Sequence, residues 1–94
     1  MRLRWTPAAV EDLEQITDYL FEQTPEHAPR LVREIYGAPA LLIQFPNRGR
    51  PGRKPRTREL ILPSLPYIVV YEILEHAVRV LRILHSARRW PKEG

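Results

Sequence analysis

Cysteine is absent from the 94 residues, which excludes disulfide bonds, thiolate zinc sites and a cysteine nucleophile. Histidine is scarce, and His27, His76 and His85 follow no metal-ligand spacing, so neither a metal nor a cofactor is expected. No apolar run approaches the ~18–20 residues of a membrane-spanning helix. The N-terminal stretch Met1-Arg2-Leu3-Arg4-Trp5-Thr6-Pro7 has no apolar core of the signal-peptide kind, so a cytoplasmic protein without membrane association is expected. Acids are short in one half only. Residues 48–94 carry eleven Lys or Arg against four acids, net +7, whereas residues 1–47 carry four Arg against seven acids, net −3. A surface charged in this one-sided way attracts polyanions or an acidic protein partner.

What is present points to a folded chain. The apolar fraction is 44%, and the ten prolines fall mostly between periodic segments. At this length one domain spanning residues 1–94 is expected, burying only ~60–65% of the unfolded chain's surface. Residues 1–5 alternate apolar and basic side chains as a short strand does, and Thr6-Pro7 reads as an N-cap followed by a proline in the first helical position. Val10, Leu13, Ile16 and Leu20 recur at helical spacing, so a helix is predicted over 7–22. Thr24-Pro25-Glu26 repeats the cap signature, and Leu31, Val32, Ile35, Tyr36, Leu42 and Phe45 supply a second stripe that Pro39 should kink. Residues 47–58, NRGRPGRKPRTR, hold six basic residues and no apolar period, which predicts an exposed, flexible cationic loop. Residues 58–62, 67–74 and 77–84 are rich in β-branched and aromatic residues and read as three consecutive strands. In the last, Val78, Val80 and Leu84 are expected on one face with Arg82, and Leu81 and Ile83 on the other with Arg79 and His85. The fold class is therefore α+β, an N-terminal helical hairpin packed on a small, mainly antiparallel β-sheet. Two helices cover one sheet face, which leaves the other, apolar in patches and carrying arginines, as a docking surface.

Several residues are candidates for function. Arg48, Arg50, Arg53, Lys54, Arg56 and Arg58 could follow a phosphate backbone, or only solvate a loop. Tyr67 and Tyr71 share a strand face and could stack on bases or belong to the core. His85, an imidazole followed by Arg88, Arg89 and Trp90, could serve acid–base work on a phosphodiester with Arg58, Arg82 or Arg88 stabilising charge; the plainer alternative is that it bonds the sheet edge while Trp90 fills the core.

The segments R-E-L-I-L-P-S-L-P-Y-I-V-V-Y at 58–71 and V-R-V-L-R-I-L-H at 78–85, in this order of elements, resemble the RelE/ParE superfamily of bacterial type II toxins. The resemblance spans nearly the whole chain. It implies a growth-arresting toxin neutralised by a cognate antitoxin, here an acidic, amphipathic one. It also implies one of two targets: ribosome-bound mRNA, cut by RelE-like members, or DNA gyrase, poisoned by ParE-like members. RelE-like nucleases carry an arginine after the tyrosine opening the corresponding strand, where this chain has Ile68 after Tyr67. Their strand lysines fall near Glu59 and Ile61, with only Arg56 and Arg58 close by. The ParE-like continuation through methionine and aspartate is replaced by Ser86-Ala87-Arg88-Arg89-Trp90. The missing nuclease residues favour a non-enzymatic, ParE-like action; the alternatives are an mRNA endonuclease and a non-toxic nucleic-acid-binding domain. By this reading Arg53, Lys54, Arg56, Arg58, Tyr67, Tyr71, Arg79, Arg82, His85, Arg88, Arg89 and Trp90 meet the target or the antitoxin.

Overall fold

A computed structural model describes residues 1–86. Strand β1 (Arg2–Trp5) runs into helix α1 (Pro7–Gln23) through Thr6, whose Oγ1 accepts from the Ala9 N–H at 3.1 Å and donates to the Leu81 carbonyl at 2.9 Å. One hydroxyl thus starts the helix and ties it to a strand 75 residues away. Removing it leaves both partners short, at a cost of ~1–2 kcal/mol. Thr6→Ala should melt about 5–15 °C lower in a thermal scan, and Thr6→Ser should recover most of the loss.

Helix α1 buries Ala9 and Leu20 and half-buries Leu13 and Ile16, while Val10 stays 42% exposed. The second helix, α2 (Ala28–Gly37), begins later than the Thr24-Pro25 signature predicts. The Thr24 carbonyl, not its hydroxyl, accepts from the His27 and Ala28 amides at 3.0 and 2.9 Å, so residues 25–27 form a turn. Pro29, in the first turn of α2, takes the tolerated helical position instead. Pro39 interrupts the helix as expected: a 3-10 turn (Ala38–Ala40) precedes the short α3 (Leu41–Gln44) and a second 3-10 turn (Pro46–Arg48).

The sheet has five strands in the order β1-β5-β4-β3-β2, with β2 at Arg50–Pro51, β3 at Thr57–Ile61, β4 at Tyr67–Ile73 and β5 at Ala77–His85. β1 pairs with β5 in parallel and the remaining pairs are antiparallel. The expected β3–β4–β5 meander is present. The loop predicted over 47–58 is a correction, since part of it forms β2, with Arg50 opposite Glu59 and Pro51 opposite Arg58. Proline is accepted there because β2 is an edge strand.

A bulge on β5 alters which side chains share a face. Val70 lies opposite Arg82 but Tyr71 opposite Val80, so Leu81 is the extra residue and alternation reverses across it. Ile83, rather than Leu84, therefore joins Val78 and Val80 in the core, beside Tyr71, Val69, Leu60, Ile35 and Leu42. The grouping of Val78, Val80, Leu84 and Arg82 expected from strict alternation does not hold. On the face away from the helices, Val70 and Leu84 are themselves buried, at 1% and 7% exposure. Among the described residues no helix is long and apolar enough to cross a membrane.

Candidate functional site

The base of the cationic segment is rigidly tied. Tyr71, fully buried in β4, donates its hydroxyl to the Pro46 carbonyl at 2.6 Å and accepts the Gly49 N–H at 2.9 Å. A Cβ on Gly49 would stand 2.7 Å from the Tyr71 ring, so only glycine allows this approach. Arg58, opposite Tyr71 on β3, donates from Nε to the Gly49 carbonyl at 2.9 Å and from a terminal nitrogen to the Asn47 carbonyl at 3.0 Å. Two side chains thus fasten residues 46–49 from inside the sheet. Tyr71 is thus buried rather than presented to a base, and Arg58, half-buried, spends two of its nitrogens on backbone carbonyls.

Beyond β2 the chain turns back through an ordered tip. The Gly52 N–H donates to the Thr57 carbonyl at 2.8 Å, and the Thr57 N–H and hydroxyl both donate to the Lys54 carbonyl, at 3.2 and 2.6 Å. Closing this turn puts Arg56 at φ 67, the left-handed region that costs a non-glycine residue ~1 kcal/mol or more. Arg53, Lys54 and Arg56 are all exposed. The expectation of a flexible loop is therefore replaced by a hydrogen-bonded hairpin end.

Three further cations, Arg50, Arg79 and Arg82, are held by acids. Arg50 donates from two nitrogens to Glu59, at 3.1 and 2.9 Å, which neutralises a carboxylate only 6% exposed. Arg79 grips Glu72 across β4 and β5 at 2.9 and 3.1 Å, a surface pair of modest energy. Arg82 forms a two-pronged bond with Asp12 of α1 at 2.7 and 3.0 Å, and the same carboxylate accepts the Ile83 N–H at 3.0 Å. Asp12 thereby closes the edge of β5 where β1 has ended, and its hydrogen bond raises Arg82 above the ordinary guanidinium range. Sequence inspection missed Asp12, for nothing local marks one acid of a polar helix face as the partner of a strand 70 residues on.

At the end of β5 an apolar groove of about 480 Å³ runs between α1 and the β4–β5 margin, walled by Ile16, Leu20, Leu31, Leu65, Tyr67 and Ile83, with Tyr19 and His85 on its rim. His85 is exposed and meets Tyr67 edge-on, ring centres 5.6 Å apart. Burial, and then the neighbouring Tyr19 phenol, push the Tyr67 phenol above its usual value near 10. The native state thus favours neutral Tyr67. Its contribution is complete below pH ~10 and is lost as pH rises from there through the higher native value. Alkaline denaturation should consequently be less steep in Tyr67→Phe than in the parent chain, read by circular dichroism between pH 9 and 12 relative to neutral pH.

Three of the nuclease candidates, Arg58, Arg82 and His85, lie within the described residues. Arg58 lies opposite Tyr71 and His85 opposite Tyr67, on opposite flanks of β4. That four-residue offset is ~13 Å along the strand. Arg82 is committed to Asp12 at the β5 edge. Arg88, Arg89 and Trp90 lie outside the described residues.

Comparison with known proteins agrees with this architecture. Residues 3–90 match the family described as ParE toxin of type II toxin-antitoxin system, parDE. A Sinorhizobium fredii protein named "Putative toxin Y4kP" is 40% identical over 91 residues, covering 97% of this chain and 94% of the relative. "Toxin RelE2" of Caulobacter vibrioides is 32% identical over 84 residues, covering 89% and 93%. Among solved structures, a chain of the chromosomal ParDE TA system from P. aeruginosa superposes with a TM-score of 0.84 at 32% identity, over 90% of this chain and 95% of that one.

Proposed function

The chain belongs to the ParE toxin family of type II toxin–antitoxin systems, and from that membership we propose that it arrests growth by binding DNA gyrase rather than by cutting mRNA. The toxin role and the existence of an antitoxin partner come with the family. The membership also sets aside a merely accessory, non-toxic nucleic-acid-binding domain.

One observation carries the choice of target. Arg58 and Arg82, two cations a nuclease reading would use, are engaged by backbone carbonyls and by Asp12, while His85 lies opposite Tyr67, four residues along β4 from the partner of Arg58. General acid–base cleavage needs base, acid and charge-stabilising donors within hydrogen-bond reach of one phosphate. A toxin acting by occupancy needs only complementary surface.

The antitoxin, on this reading, is acidic overall, matching the +7 of residues 48–94, and lays an amphipathic segment into the groove beside Tyr67. The groove, rather than the far sheet face, offers the larger apolar depression, since Val70 and Leu84 on that face are already covered.

Purified chain assayed side by side for gyrase supercoiling and for mRNA cuts in a translation extract decides the target. Inhibition of supercoiling with intact mRNA is the expected result; mRNA cuts with unaffected supercoiling would reverse the assignment. The nuclease remains the second reading because His85 is solvent-accessible at the rim of a groove and one relative bears the name RelE2.

A further inference from the structure

We propose that the tip of the β2–β3 hairpin is a preformed finger for the phosphate backbone of duplex DNA, with Arg53 and Arg56 as its contact residues. The inference rests on the gyrase reading for its setting in the cell, gyrase being an enzyme that holds duplex DNA.

Charge comes first. Residues 48–58 contain six Lys or Arg and no acid, and the nearest carboxylate, Glu59, is taken up by Arg50. Arg53 and Arg56 are exposed, and among the described residues neither is in an ion pair.

Composition separates nucleic acid from protein as the occupant. Between Pro51 and Arg56 the tip consists of Pro, Gly, Arg, Lys, Pro and Arg, with no large apolar side chain. A protein interface needs a buried apolar centre, which this tip cannot provide. Phosphate contacts need only cationic donors in fixed positions, and the antitoxin has the groove instead.

Position and order complete the case. The turn is closed by the Gly52–Thr57 and Thr57–Lys54 bonds, and its root is fastened by Tyr71 and Arg58, so little ordering remains to be done on binding. Arg56 occupies a left-handed position that glycine would fill with less strain. Arginine at that position brings an exposed cation to the end of an ordered turn, where a polyanion can meet it.

The test measures binding of a labelled duplex DNA to the full chain by fluorescence anisotropy across a salt series. The variants are Arg56→Gln, Arg56→Gly and Arg53→Gln, with Arg30→Gln on α2 as a control that removes the same charge elsewhere. Each tip variant should lose about 5- to 10-fold in affinity near 0.1 M salt and lower the logarithmic salt slope by ~0.9, while Arg30→Gln should change affinity less than ~2-fold. Arg56→Gly should melt no lower than the parent, which removes unfolding as an explanation. Tip variants that match Arg30→Gln, or single-stranded RNA bound more tightly than duplex DNA, would overturn the proposal. If the parent chain leaves supercoiling untouched but the tip variants still lose duplex affinity, the gyrase reading fails and the finger stands.

Discussion

Tyr71→Ala should lower the melting temperature by about 15–30 °C, the largest effect expected of any single substitution in the chain. Tyr71 is completely buried at the centre of the sheet, packed with Val69, Val78 and Val80 beneath the helices. Truncating such a ring costs ~3–5 kcal/mol, a large share of the 5–15 kcal/mol that holds a typical domain together. At this size each kcal/mol is worth ~4–8 °C. The hydroxyl adds a separable part. In Tyr71→Phe the core stays filled, but the buried Gly49 N–H and the Pro46 carbonyl lose their partner, which costs ~1–3 kcal/mol and about 5–20 °C. A Tyr71→Phe protein melting with the parent would show that the hydroxyl does not hold residues 46–49.

Asp12→Ala comes second, at ~2–3 kcal/mol and about 8–20 °C in a thermal scan. The loss has two components. Arg82 is left without its two-pronged partner, and the Ile83 N–H at the margin of β5 loses its acceptor. Because the Arg82 side chain is 37% exposed and can be rehydrated, the figure stays below that for a fully buried pair. Asp12→Asn should recover about half, since its amide oxygen can still accept from Ile83 while the charge attraction is gone. If Asp12→Asn is no more stable than Asp12→Ala, the edge bond is idle and the ion pair carries the whole effect.

These two residues also explain how far the structure could be read from sequence. Helix α1, the break at Pro39 and the β3–β4–β5 meander follow from local periodicity and turn chemistry, and all three are present. What local pattern does not encode is pairing across long separations. The parallel seat of β1 on β5, the Asp12–Arg82 pair and the Tyr71 brace join residues distant in the chain. The bulge at Leu81 defeats the rule of alternation, so half of β5 was assigned to the wrong face. β2 escaped notice because its two residues, Arg50 and Pro51, look like loop and become strand only by lying against β3.

For the candidate site, sequence reading found the cations but not their partners. Arg58, Arg79 and Arg82 looked equivalent to Arg53 and Arg56, yet the first three are engaged within the fold and the last two are exposed and, among the described residues, in no ion pair. Counting arginines cannot make that distinction, because it depends on which carbonyls and carboxylates the fold brings alongside. The family resemblance, by contrast, did not need the structure: its most specific parts, Pro66 to Tyr71 and Leu84 to Pro91, fall almost entirely within the matched span of 3–90.

The central claim is that toxicity comes from surface recognition and not from acid–base chemistry at His85. Induced expression of His85→Ala in a host without the antitoxin tests it directly. The imidazole is exposed, so its removal leaves the core intact. Growth arrest equal to that of the parent chain is the expected result. A loss of arrest in a folded His85→Ala protein, with mRNA cleavage reduced by the ~10²–10⁴ that removal of a general acid or base entails, would contradict it.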